Sequence, residues 1–323
     1  MKVNFMFITN AAPHSLRGVW FPEGAMSIFP RRRCLVRLCM LALATVVPLL
    51  ASTTARAQER PYFITYTHEM EEPGNLEIEF KGVTGKPPAA NRFAGANLEF
   101  EYGMTAWWTS EFYLDGQSTA NDSTIFTGFK IENRVRPLMR EHWINPVLYV
   151  EFEDTSADKS LREVVGHDGV PDFATPNSVA RADKEREMEL KLILSSNFKG
   201  WNVSENIISE KDLSNKPWEF GYALAASRPL KLAASAHKCT FCAEKFMGGV
   251  EMYGGLGDRY SFGTHLTSQY LGPSMNWAAP GGMTLSASTS FGLNGYSIPR
   301  LYRFGVSYEI PQLLGNFRKA GAR

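Results

Sequence analysis

The stretch N-L-E-F-E-Y-G-M-T-A-W-W-T-S-E-F-Y-L-D, Asn97 to Asp115, decides the fold. In its first arm Leu98, Phe100 and Tyr102 fall on one face, and Asn97, Glu99 and Glu101 on the other. A period of two marks a strand, because a helix would mix the two sets. The second arm resumes the alternation, with Ser110, Phe112 and Leu114 against Thr109, Glu111, Tyr113 and Asp115. Gly103-Met104-Thr105 reads as the tight turn between them, with Trp107 and Trp108 beside it. An apolar face, an acidic face and aromatics at the turn form the pattern of a membrane β-barrel hairpin.

The period recurs along the chain. Glu77, Glu79 and Lys81 alternate with Leu76, Ile78 and Phe80, and Lys130, Glu132, Arg134 and Arg136 with Phe129, Ile131 and Val135. Glu151 and Glu153 oppose Leu148, Val150 and Phe152, and Glu187, Glu189 and Lys191 oppose Met188, Leu190 and Leu192. Glu219, Glu251, Arg303 and Glu309 sit in the same relation to apolar neighbours. Residues 201–211 slip in parity between Glu205 and Glu210, which predicts a bulge. Twelve strands follow: 75–84, 92–102, 106–116, 123–136, 144–154, 186–196, 201–211, 218–227, 246–256, 260–271, 283–293 and 300–310. Residues 61–71 read as a further short strand. The predicted fold class is all-β, a single antiparallel up-and-down transmembrane barrel of about twelve strands.

Composition agrees. The chain has 323 residues, a formal net charge of +1 and 44% hydrophobic residues. Near-neutral charge without a basic patch gives no sign of a nucleic-acid partner, and none is expected. A barrel needs no apolar excess, since only alternate strand residues meet lipid.

The N-terminus reads as a targeting signal. Arg31-Arg32-Arg33 is a basic segment, Leu35 to Leu50 an apolar one, and Ala55-Arg56-Ala57 a small-residue cleavage site. Residues 1–57 are therefore expected to leave as a signal peptide, with Met26 as the natural start and an added extension before it. The mature chain then divides into an N-terminal arm (58–74), the barrel (75–310) and a tail (311–323). It keeps two cysteines, Cys239 and Cys242, in K-C-T-F-C-A. In an exported chain this spacing suits a local disulfide. Two further ligands would be needed for zinc, and the motif lacks the strand–helix setting of a redox site. No cofactor or metal is expected.

The signal peptide, the alternating strands with aromatic ends and the final strand L-Y-R-F-G-V-S-Y-E-I resemble Gram-negative outer-membrane β-barrel proteins. The nearest likeness is to porin-like or transporter-like barrels of about twelve strands, including some proposed to move hydrophobic compounds. The resemblance implies an outer-membrane location. It also implies membrane lipid, small solutes and the barrel assembly machinery as partners. Both chain ends would face the periplasm, with 103–105, 137–143, 197–200, 228–245 and 272–282 as periplasmic connections. One departure is that the chain continues past the last strand, from Pro311 to Arg323.

The inward charges carry the functional reading. By parity thirteen acids face inward: Glu77, Glu79, Glu99, Glu101, Glu111, Glu132, Glu151, Glu153, Glu187, Glu189, Glu219, Glu251 and Glu309. Six bases join them: Lys81, Lys130, Arg134, Arg136, Lys191 and Arg303. Carboxylate-lined passages favour cations. The competing reading is a salt-bridged polar filling, because long Glu and Arg side chains can cross-link a barrel of this size. In the long connection 155–185, His167, Asp168 and Asp172 suggest a lid or a metal contact, against a plain solvated loop. A third reading is a lipid hydrolase, in which His265 and Thr267 lie two apart on one strand with Glu251 on the strand before. The tryptophans near strand ends fit an interfacial belt better than a substrate track.

Overall fold

The computed structural model describes residues 60–156, 159, 164–214, 216–233 and 239–313. The expected signal peptide, Leu161-Arg162-Glu163 of the long connection and residues 314–323 of the tail lie outside them. Twelve antiparallel strands form one closed barrel. They are β1 (Leu76–Gly85), β2 (Phe93–Thr105), β3 (Trp108–Thr119), β4 (Thr124–Val135), β5 (Asn145–Ser156), β6 (Lys184–Phe198), β7 (Trp201–Asp212), β8 (Trp218–Pro229), β9 (Phe246–Asp258), β10 (Gln269–Ala278), β11 (Met283–Gly292) and β12 (Arg300–Ile310). Each pairs with its neighbours in sequence, and β1 closes on β12 from Leu76↔Ile310 to Gly85↔Leu301. A strand of 12 residues such as β3 spans about 40 Å, or about 28 Å when tilted near 45°, which matches a bilayer core.

Burial follows the parity of the sequence. Glu132, Glu151 and Glu189 are 0% exposed, whereas Leu148 is 55% and Phe304 52% exposed. Charge lies inside and apolar surface outside, the reverse of a water-soluble protein. Aromatic residues gather at the rim that carries the chain ends. Trp107 stacks on Trp108, Trp143 meets Phe198 edge-on at 5.4 Å, and Trp277 stacks on Phe241 at 4.7 Å. Cys239 and Cys242 form the expected disulfide in the β8–β9 connection at that rim. Trp218, at the start of β8, belongs to the opposite rim.

Four expectations are corrected. The β2–β3 turn is Ala106-Trp107, not 103–105, because Gly103 stays in β2 and bonds Gly74 and Asn75 of the arm. β7 has no bulge: its register to β6 is unbroken from Glu187↔Asp212 to Phe198↔Trp201, so Glu205 faces outward and Glu210 inward. β10 runs over 269–278 rather than 260–271, and its turn to β11 is 279–282. Gly272-Pro273 reads as a break in the sequence. In the structure the β10–β11 ladder is interrupted there, from Leu271↔Phe291 to Ser274↔Ser288, while β10 stays paired with β9. Finally, residues 61–71 are not a strand. They fold into the lumen.

Candidate functional site in the lumen

The arm enters from the rim that carries the chain ends. Its residues Phe63, Ile64, Thr65, Thr67 and His68 are buried. A chain without a ladder must find other partners for its peptide groups. Glu251 of β9 supplies several. Its carboxylate accepts the Phe63 N–H at 3.1 and 3.0 Å, the Ile64 N–H at 3.0 Å and the Thr65 N–H at 3.0 Å. Asn206 of β7 clamps the next residue both ways: the Tyr66 N–H donates to its Oδ1 at 2.6 Å, and its Nδ2 donates to the Tyr66 carbonyl at 3.0 Å. The Tyr66 hydroxyl donates to Glu132 at 2.9 Å. Below it, Arg60 pairs with Glu69 at 2.6 Å, and His68 meets Glu141 of the β4–β5 connection at 3.0 Å. Arg136, expected to face the lumen, lies just beyond β4 and reaches the His68 carbonyl.

The wall opposite the arm is a charge network. Lys81 sits 2.9 Å from both Glu79 and Glu99. Arg134 joins Glu101, Glu111 and Glu132, its Nε donating to Glu111 at 2.6 Å. The Tyr113 hydroxyl lies between Glu111 at 2.5 Å and Glu132 at 2.8 Å. Lys130 pairs with Glu153 at 2.5 Å, and Lys191 with Glu189 at 3.0 Å. Lys191 also stands over the rings of Tyr149 and Tyr66, at 4.1 and 4.5 Å. Glu151 is fully buried between these groups. Arg303 donates to Ser290 at 2.9 Å and faces the Tyr253 ring. Glu309 accepts Asn75 Nδ2 at 2.5 Å.

Small residues recur on the inner wall from β8 to β12, and they admit the filling. A Cβ on Gly221 would stand 2.8 Å from the Val164 carbonyl oxygen, and one on Gly255 would stand 2.2 Å from that of Gly166. The inner positions Ala223, Ala225, Ser274, Ser288 and Ser290 continue the pattern. Tyr270 faces inward, stacks on Tyr253 at 5.2 Å and accepts the Ile298 N–H at 2.9 Å. Phe63 and Ile64 of the arm, Val164 and Phe173 of the long connection, and Tyr253 and Tyr270 of the wall belong to one apolar cluster inside the barrel.

The connection after β5 roofs the opposite mouth. It carries two short helices, α1 (Val170–Ala174) and α2 (Asn177–Ala180). Gly166 donates to Phe220 at 3.0 Å and accepts from Gly257 at 3.1 Å, and Val170 donates to Tyr296 at 3.0 Å. Phe173 stacks on Phe93 at 5.5 Å. Lys159 donates to Thr119 and to the Thr175 carbonyl. His167, Asp168 and Asp172 do not converge: His167 faces Asp258 at 3.8 Å, while Asp172 accepts the Gly169 N–H at 2.7 Å. Asp168 is exposed but lines the cavity enclosed beneath the roof. That enclosure, with Asp172, Glu219, Glu187 and Glu185 around it, holds its carboxyl well above the usual carboxylate range. The hydrolase constellation is not assembled either. His265 is exposed on the 259–268 connection, Thr267 is buried under the roof, and Glu251 is engaged by the arm.

Two cavities stand out among the described residues. One, of about 390 Å³, lies between the arm and β1–β3 and reaches the terminal rim at Asn75 and Gln312. The other, of about 230 Å³, lies beneath the roof, among residues that include Lys130, Glu153, Asp168, Glu187, Glu210 and Glu219. Glu210 and the arm as a filling were missed by parity alone. The signal available was the run of small inner residues on β8 to β12, which leaves space that something must occupy.

No family model and no curated protein matches the chain. Among solved structures, the KdgM porin in complex with disordered oligogalacturonate is similar at 8% identity, covering 72% of this chain and 98% of that one, with a TM-score of 0.45. An outer-membrane channel from Pseudomonas putida F1 is similar at 11% identity over 75% and 96%, with a TM-score of 0.46. LpxR from Salmonella typhimurium is similar at 11% identity over 72% and 99%, with a TM-score of 0.35.

Proposed function

We propose that this chain is an outer-membrane barrel giving gated passage to small solutes through a polar, net-acidic lumen, closed at rest by its own arm and roof. The outward apolar belt and the rim of aromatics support the membrane location, with the chain ends on the periplasmic side. The observation that carries the gating is the Glu251 latch. The arm fills the barrel as a separate segment, held by side-chain acceptors and not woven into the sheet. No strand pairing includes a residue of the arm.

The second reading, a permanently closed barrel, is favoured by the cross-linking around Arg134 and Lys81. Planar-bilayer recordings separate the two. The intact mature chain should conduct rarely, and a chain lacking residues 60–71 should conduct steadily and prefer cations. Silence from both would establish the closed structural barrel instead.

A further inference from the structure

We infer that the β8–β9 connection is a foot on the periplasmic leaflet, where it binds the headgroups of anionic phospholipids. The inference rests on the outer-membrane reading above and adds a partner to it.

The connection leans outward, over the face that meets lipid, and not into the lumen. Arg228 lies on the outward face of β8 and pairs with Gly248 of β9. Leu230 extends this hairpin through its N–H to the Phe246 carbonyl at 2.9 Å, and its side chain lies over Gly248, where a Cβ would meet it at 3.6 Å. Leu232 packs on the β6–β7 turn so closely that a Cβ on Gly200 would stand 2.4 Å from it. At the other end the Cys239–Cys242 disulfide closes a turn whose Thr240 carbonyl accepts Trp277 Nε1 at 3.0 Å, and Phe241 stacks on the Trp277 ring. The described residues of the connection thus touch the rim from the β6–β7 turn to β10.

Held there, Phe241 is still 71% exposed, Leu230 61% and Leu232 56%. They continue the aromatic rim of Phe198, Trp201 and Trp277, which is where amphipathic segments meet a bilayer surface. Cations border them. Lys199 stands over the Phe198 ring at 5.0 Å and Arg228 over the Trp201 ring at 5.7 Å, while the exposed Lys231 lies between the two leucines in sequence. A basic side chain laid along apolar groups, with its charged head toward water, is the posture of a residue at a membrane interface. Among the described residues of 228–245, Arg228, Lys231 and Lys245 stand against Glu244 alone, three positive charges to one negative. Glu205, the outward acid of β7, is four residues further from the rim than Trp201. Exposed apolar side chains bordered by Lys and Arg complement a leaflet that carries negative headgroups.

The test is native mass spectrometry of the purified, detergent-solubilised mature barrel, given equimolar phosphatidylglycerol and phosphatidylcholine with matched acyl chains. Retained phosphatidylglycerol should exceed phosphatidylcholine at least about fivefold, and added salt should shrink the excess. The triple variant Lys199→Gln, Arg228→Gln, Lys231→Gln should erase the preference while the heat-dependent gel shift is unchanged. A variant matched in charge at the opposite rim, Lys184→Gln, Arg186→Gln, Arg300→Gln, should keep it. Equal retention of the two lipids by the unaltered chain would overturn the inference. So would an equal loss of preference in both variants, which would reduce it to net charge. Either failure leaves the conductance of the arm-deleted chain standing. A barrel that selects phosphatidylglycerol but never conducts would instead sink the passage reading alone.

Discussion

The carboxylate of Glu251 on β9 receives the backbone N–H of Phe63 on both of its oxygens, 188 residues away in sequence. A hydrogen bond to a charged group contributes about 1.5–3 kcal/mol, roughly twice a neutral one. Glu251→Gln keeps the shape but removes the charge and one acceptor. We expect the arm to leave the lumen at least tenfold more often, which corresponds to about 1.4 kcal/mol. Single-channel open probability in bilayers is the measure. An unchanged open probability would mean that the latch does not hold the arm.

Arg134 holds three carboxylates, two of them buried, and its loss should be costly. Breaking a buried pair by removing one partner costs about 3–5 kcal/mol. Arg134→Met is therefore expected to lower the unfolding midpoint of the barrel sharply, read by the heat-dependent gel shift of folded barrels. A second change, Glu111→Gln, should recover part of the loss by removing one of the stranded charges.

The roof should respond to pH through Asp168. Its carboxyl in the folded roof binds a proton more tightly than in a free loop. The stabilisation from this group is complete below the ordinary aspartate value of about 3.9 and is lost as pH rises through the raised one. Hydrogen exchange of residues 164–183 is thus expected to be slower at pH 5 than at pH 8, after correction for intrinsic rates. Asp168→Asn should flatten the difference.

Gly255 offers a steric test of the roof. A Cβ there would stand 2.2 Å from the Gly166 carbonyl oxygen, and backbone cannot yield as a side-chain tip can. Gly255→Ala is expected to lift the roof while the barrel still forms. Protease cleavage between 164 and 183 should become faster by an order of magnitude or more, with the same heat-dependent gel shift as the unaltered chain.

Much of this architecture was legible in the sequence. The faces of β1 to β6, β8, β9, β11 and β12 follow from alternation at positions such as Leu98, Glu99 and Phe100, because a strand with lipid on one side and charge on the other leaves a clean period of two. β10 was misplaced because Gly272-Pro273 mimics a turn. In place, Gly272 lets the β11 backbone pass close by, since a Cβ there would stand 1.8 Å from the Thr289 carbonyl oxygen. The supposed bulge in β7 came from giving Glu205 an inward face that its register denies it. The arm was illegible for a different reason. Parity says which residues face inward but not what meets them, and Tyr66 with Asn206 is a contact across 140 residues that no local pattern encodes.

Asn75 ties the arm to the seam where the barrel closes. It donates to Glu309 of β12 and accepts the Gln312 N–H at 2.9 Å. The filling therefore joins the wall along the chain at its very edge, upstream of all twelve ladders. Wall and cork are separable pieces of one chain, so evolution or an engineer could exchange the cork by rewriting about fifteen residues before Asn75 without touching the staves.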